Sequence, residues 1–511
     1  MNRKKKLLVF LFFILSINGL HAQQALETPK LVISITIDQL RGDYLQYFSP
    51  TFGEKGFKRL MREGLFYSSV DFDFPNLSES SSIASIYTGT DPFHHGITGD
   101  KQFDFTNNQE VSIVKDDSFM GNYTADRVSP LALQASTVGD ELKIASKGQS
   151  KVFSIAPNAA AALLSAGRYA NAAFWLDDYN GKWATTTYYK DVPNYIDRFN
   201  TAEAIGNYPE RQWKQSYPLY TGFLYTERTA PFSYLFTKND NDRYKKIKKT
   251  ALINSEITLL ASKFFEKAGF TRNTCPDFLS LTYYAGNYPY SAAPTEYSAE
   301  IQDIYYCLDR EIEKLIDLID RKIGLKHVLI ALTSTGYYDA IQTPSSDFKP
   351  SGEFYPTRCN SLLNMYLMAI YGQGNWVSGY FDQQIFLNKK LAEEKSVAWN
   401  DLLAKSADFV AQFSGVQEVT LKEVNQKRCG DIFIKLQPGW IIANENAAKP
   451  TPLREKIVLA PLFFFGEHIP HKQIFRTVKA TEIAPTLTYL LRIHAPNACK
   501  DKPLEEILGS K

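Results

Sequence analysis

Along the chain, short runs of apolar and β-branched residues alternate with stretches of helical periodicity. The runs Leu31–Ile37, Lys151–Ile155, Phe278–Tyr283, Val328–Leu332 and Leu459–Phe465 are the strand candidates, and nearly continuous apolar character marks strands buried on both faces. Between two of them, Ser298–Ile323 places Ile301, Ile304, Tyr305, Leu308, Ile312, Leu315, Ile316 and Ile319 at helical spacing, with acidic and basic residues on the outer face. Strands alternating with helices predict an α/β protein with a mostly parallel central sheet and helices on both faces.

Residues 168–275 break this rhythm. They are dense in Tyr, Trp, Asn and Thr, including Trp175, Trp183, Trp213, the pair Tyr188-Tyr189 and the run Tyr217–Tyr225. They are read as an aromatic-rich cap inserted into one domain covering 23–511, its aromatics serving either a contact surface or packing against the sheet. A further segment, Met365 to about Pro438, carries a turn at Gly372-Gln-Gly374, a helix predicted over Trp399–Phe413 and a strand over Asp431–Leu436 before a turn at Pro438-Gly439.

Composition narrows the class. A chain of 511 residues with 44% hydrophobic and 22% charged residues can bury a large core. The first 22 residues read as a secretory signal peptide, with basic Arg3–Lys6, an apolar stretch Leu7–Leu15 and a cut after Ala22. That stretch is too short to span a bilayer, and no Cys follows the cut to carry a lipid. The expectation is an exported, periplasmic protein that is not an integral membrane protein after cleavage.

Loss of the four basic side chains of that segment lowers the net charge from +2 to −2. A nucleic-acid partner is therefore not expected, and Lys245-Lys246-Ile247-Lys248-Lys249 is read as a solvated helix start. The five cysteines are widely spaced with no C-x-x-C pair, so zinc-cluster spacing is absent. An oxidising compartment permits one or two disulfides and leaves at least one thiol unpaired within a monomer.

Several ordered segments carry a resemblance: ITIDQLRGDY from Ile35, GFKRLMREG (Gly56–Gly64), SIYTGTDPFHHGITGD (Ser85–Asp100), STVGDELKIAS (Ser136–Ser146), GRYANAAFWLDDYNGKWATTTYY (Gly167–Tyr189), LLNMYLMAIYGQGNWV (Leu362–Val377) and ATEIAPTLTYLL (Ala480–Leu491). Together they resemble the alkaline phosphatase superfamily, in its type I phosphodiesterase and nucleotide pyrophosphatase branch, and especially the PafA-type phosphate-irrepressible alkaline phosphatases. The resemblance implies two zinc ions held by Asp and His, with a Thr or Ser nucleophile between them. Two cations offset charge on the transferring phosphoryl group, lower the nucleophile's pKa and stabilise the leaving oxygen.

Carried onto this sequence, that pattern is mostly missing. Asp38 matches the first metal carboxylate and is the retained ligand. Asn287 and Ser291 stand where the second metal segment would have Asp and His, and Thr335 and Gly336 where the third would have Asp and His. The last His would fall near Lys449–Thr451 and is absent. The phosphate-binding Asn matches Asp100, and a Lys and Arg pair falls at about Asn158 and Ala160. Counting forward from Pro75 puts the nucleophile on Ser78, whereas counting back from Ser85-Ile-Tyr-Thr-Gly89 puts Glu79 there.

None of the remaining histidines, His94, His95, His327, His468, His471 and His494, lies in an Asp-x-x-x-His or Asp-His pattern. Losing carboxylates where no cation binds removes self-repulsion. The leading expectation is a catalytically impaired pseudo-phosphatase without zinc that binds an unidentified small molecule or protein partner. The alternative is an active hydrolase of phosphate mono- or diesters, with Ser78 as nucleophile and one zinc at Asp38. A phosphate-ligand sensor would need an anion site, for which Arg168 and Arg358 are nominal candidates.

Overall fold

The computed structural model describes residues 28–74, 77–104, 109–190, 192–217, 231–291, 298–339, 352–421, 429–437, 439–443 and 454–508. The signal-peptide assignment, the start of the Pro75 loop, much of the Tyr217–Tyr225 run and the Lys449–Thr451 position lie outside these residues.

The strands that matter here are β1 (Leu31–Asp38), β2 (Leu65–Tyr67), β3 (Gly121–Asn122), β4 (Val152–Ala156), β5 (Ala172–Leu176), β6 (Trp183–Thr186), β7 (Asp277–Tyr284), β8 (Val328–Ser334), β9 (Tyr337–Asp339), β10 (Arg454–Lys456), β11 (Leu462–Phe465) and β12 (Lys472–Ile474). Ten of them form one sheet, in the order β12-β2-β11-β8-β1-β7-β4-β5-β6-β3. The middle, β8-β1-β7-β4-β5, is parallel, while β11 joins β8, and β6 joins β5, antiparallel. The sheet is thus parallel at its centre and mixed toward its edges.

All eight residues of β1 and all eight of β7 are buried, as expected for strands covered on both faces. Covering helices are α1 (Glu79–Thr88), α2 (Ala159–Ala166), α3 (Ala251–Lys267) and α4 (Ala299–Lys322). The apolar stripe of α4 faces inward as its spacing predicts: Ile304, Tyr305, Leu308, Ile312, Leu315 and Ile319 are all fully buried. Helix α1 is fixed to the sheet by polar contacts. Its Tyr87 hydroxyl lies 2.8 Å from Ser280 Oγ on β7 and 3.3 Å from Thr36 Oγ1 on β1.

Within 168–275, β5 and β6 belong to the central sheet and α3 packs against β7. A hairpin of Glu210–Lys214 and Ser233–Thr237 stands apart from the sheet. Trp213 there donates to Asp303 of α4 at 2.7 Å and packs edge-on against Phe232 and Tyr288.

A second core lies under the 352–443 segment, where helices α5 (Pro356–Tyr371) and α6 (Trp399–Val410) pack on a separate four-stranded sheet around Leu363, Leu367, Leu402 and Ile432. The cysteines Cys275, Cys307, Cys359, Cys429 and Cys499 are all free thiols. Among the described residues, no helix is long and apolar enough to cross a membrane.

Candidate functional site

Parallel α/β sheets gather their sites at the carboxyl ends of the strands, and here the ends of β1, β7 and β8 meet the amino-terminal end of α1. Asp38 closes β1 and is 2% exposed. Thr335, just past β8, donates from Oγ1 to Asp38 Oδ1 at 3.0 Å and accepts from Gln39 N at 2.9 Å. Burial raises the Asp38 pKa above the ordinary carboxylate value, and the Lys249 ammonium opposes that shift. Lys249 Nζ is 3.9 Å from Asp38 Oδ2.

The chain leaves β1 through Gln39 at φ 62°, a left-handed conformation that is costly for a side chain with a Cβ. Its amide holds the turn in place by a reciprocal pair of bonds to Asp339, Nε2 donating to Oδ2 at 3.1 Å and Oε1 accepting from Asp339 N at 3.0 Å. Asn287 donates to Asp339 O at 3.2 Å. Thus Asp38, Thr335, Asn287 and Asp339 form one network. Ser291 does not join it, since its hydroxyl donates to Glu300 at 3.3 Å.

The start of α1 has a capping box. Ser78 is the N-cap, with its Oγ accepting from Ser81 N at 3.1 Å, and Ser81 Oγ accepts from Ser78 N at 3.0 Å. Ser78 is buried, and its hydroxyl is engaged with the helix end. The adjacent Glu79, 8% exposed, senses Asp38, Asp100 and Lys249 and accepts from Asn158 Nδ2 at 2.7 Å. Burial, and then the nearby Asp38 carboxylate, push the Glu79 carboxyl up to about 8.

Asp100 lies on the same helix start and accepts from Ser80 N at 3.0 Å. Arg454 of β10 reaches Asp100 Oδ2 at 2.8 Å and Asp339 Oδ1 at 3.3 Å. Asp100 is half-buried, and although desolvation pushes the other way its carboxyl is held below the ordinary range by Arg454 and the Ser80 amide.

Zinc takes thiolate, imidazole or carboxylate donors, and a catalytic zinc needs about three of them with one position left open. At the corresponding positions stand an amide, Asn287, two hydroxyls, Ser291 and Thr335, and Gly336, while an ammonium faces Asp38. A Cβ at Gly336 would collide with the edge of the Phe72 ring at its Cδ2, so no metal-binding side chain fits there without rearrangement. Among the described residues no group of three or more His, Cys, Asp or Glu is assembled for a metal. This donor set does not fit the two-zinc centre.

The histidines lie elsewhere. His95 is buried, with its Nδ1 accepting from Ile97 N at 3.1 Å and Nε2 2.9 Å from Ser85 Oγ. His468 and His471 are exposed. Arg168 is spent on the Leu133 carbonyl, and Arg358 is on the exposed side of α5. Lys249 and Arg454 were not singled out by the sequence. Lys249 was hidden in a run of lysines, and Arg454 follows no motif.

A parallel-centred sheet with a polar network at its strand ends is shared by many α/β enzymes, and the family profile and relatives place this chain in the alkaline phosphatase superfamily. Within it, the chain belongs to the type I phosphodiesterase / nucleotide pyrophosphatase family, whose profile matches residues 32–458. It is 28% identical over 529 residues to a protein of Myroides odoratus named calcium-transporting ATPase, covering 95% of this chain and 96% of that one. It is 26% identical over 544 residues to alkaline phosphatase PafA of Elizabethkingia meningoseptica, covering 99% of each chain. The crystal structure of wild-type alkaline phosphatase PafA has the same fold, with a TM-score of 0.74 at 24% identity, covering 95% of this chain and 100% of that one.

Proposed function

We propose that this chain is an exported, catalytically impaired member of its family that holds a ligand or protein partner and does not turn over phosphate esters. The observation that carries this reading is Glu79 at the amino-terminal end of α1, facing Asp38 and Lys249, with the Ser78 hydroxyl committed to the helix cap. A phosphate ester entering here would meet Asp38, Asp100 and Asp339 with both nearby cations already bound to carboxylates. Repulsion then replaces the charge compensation that phosphoryl transfer requires. The Ser78 hydroxyl is held against Ser81 in the helix cap. Zinc is not part of the proposed state.

The test is zinc content by elemental mass spectrometry after loading and dialysis, with aryl phosphate hydrolysis measured on the same sample. The expected result is no stoichiometric zinc and no turnover above blank. Two equivalents of zinc with chelator-sensitive turnover would overturn the reading and restore the hydrolase with Ser78 as nucleophile.

A further inference from the structure

We propose that Lys249 and Arg454 are resident counter-cations, side chains that take over the charge neutralisation and loop-tying that bound metal ions would supply at this place in the fold. The inference rests on the impaired-enzyme reading above and names what replaced the metals.

The five-residue basic run does not behave as one patch. Lys245 pairs with Asp242, Lys246 with Asp240 and the buried Lys248 with Asp178. Lys249 is the member of the run that reaches the end of β1, with its ammonium 4.5 Å from the centroid of the Tyr284 ring and 3.9 Å from Asp38. The next residue, Thr250, caps α3 by accepting from Leu252 N at 3.2 Å. Helix α3 is in turn locked to β7 by Asn254, which donates to Tyr284 O at 2.8 Å and accepts from Tyr284 N at 2.9 Å. The ammonium is thus placed by the docking of a helix on the central sheet, and not by a free surface chain.

Arg454 is equally built in. It stands opposite Asp339 in the β9–β10 ladder, bonds Asp100 and Asp339, and lies 4.9 Å from the Tyr337 ring. It therefore joins the segment that starts α1 to the segment that follows β8. Lys249 joins the α3 start to the end of β1. A metal ion at such a place links loops by binding their anionic ligands. Here two covalently attached cations link loops from the same strand ends.

Charge makes the arrangement coherent. Asp38, Asp100 and Asp339 converge on the two cations, and the buried Glu79 carboxyl lies close to Asp38, Asp100 and Lys249. Taking a cation away while leaving the oxygens creates an anionic, oxygen-rich cluster, the donor type that hard divalent ions accept.

The experiment compares full-length mature wild type with Lys249→Met, Arg454→Met and Lys249→Met/Asp38→Asn, measuring Mn²⁺ affinity by calorimetry and melting temperature in chelator and in Mn²⁺. Wild type is expected to melt at the same temperature in both. Lys249→Met should bind Mn²⁺ at least about tenfold more tightly than wild type and regain in Mn²⁺ the melting temperature it loses in chelator. The Asp38→Asn double variant, balanced in charge again, should fold and lose the gain. If Lys249→Met and Arg454→Met gain no Mn²⁺ affinity while wild type also binds none, the inference falls and the impaired-enzyme reading stands. Stoichiometric Mn²⁺ or Zn²⁺ on wild type, with a melting temperature that chelator lowers, overturns both.

Discussion

Lys249→Met tests how much the buried carboxylate depends on its cation. At 3.9 Å, unit charges in an effective dielectric of about 20 interact by about 4 kcal/mol. The alternative open to an abandoned Asp38 is to take a proton, which at neutral pH costs about 4 kcal/mol for a group with an ordinary pKa of 3.8. Both figures are ceilings. The Lys249 side chain is 32% exposed, so water screens the pair, and Asp38 enters with its pKa already raised by burial and keeps its bond from Thr335. The expected loss is about 1–2 kcal/mol.

The assay is a double-mutant cycle with Asp38→Asn, whose amide oxygen can still accept from Thr335. For a chain of this size the unfolding entropy is about 1 kcal/mol/K, so Lys249→Met should melt about 1–2 °C lower in chelator near neutral pH. In the Asp38→Asn background the same substitution should cost less than half of that. The deficit should also shrink as the pH falls through the titration of Asp38, because a protonated carboxyl needs no partner. Equal losses in both backgrounds, or a deficit that does not change with pH, would refute the pairing.

Three further outcomes follow from other parts of the structure. Ser78→Ala should cost about 1 kcal/mol of stability through loss of the α1 cap and leave any trace phosphate-ester hydrolysis unchanged; abolished hydrolysis would make Ser78 the nucleophile. Burial holds His95 at about 3, so the unfolded chain takes up its proton first as the pH falls. Its contribution is complete above the ordinary value of 6.5 and is lost from there toward 3, by up to about 1.4 kcal/mol per pH unit, and His95→Gln should flatten the acid side of the stability profile measured by urea unfolding. Tyr87→Phe should destabilise by about 1–3 kcal/mol, since it strands Ser280 and Thr36 on the sheet under α1, read as a lowered denaturation midpoint.

Periodicity and burial are local properties, and they were legible. The apolar runs at Leu31, Phe278 and Val328 became β1, β7 and β8, because a strand covered on both faces must be apolar at successive positions. The stripe from Ile301 to Ile319 became the inner face of α4 for the equivalent reason at a helical period. Asp38 was recognisable as the residue at the end of the central strand, and the absence of Asp and His at 287, 291, 335 and 336 could be read directly from residue types.

What the residue order could not contain is convergence. Whether Ser78 or Glu79 faces Asp38 depends on where α1 begins, and that was decided by a capping box between Ser78 and Ser81 together with the docking of Tyr87 on the sheet. Lys249 looked like its neighbours in a basic run; only the anchoring of α3 to Tyr284 turned it toward Asp38. Arg454 meets Asp100 and Asp339 across 354 and 115 residues of chain. Electrostatic partners at such separations are fixed by the packing of the whole sheet. The sequence by itself determined the layers and the residue types at the ends of the central strands, and the tertiary structure alone decided which charges meet there.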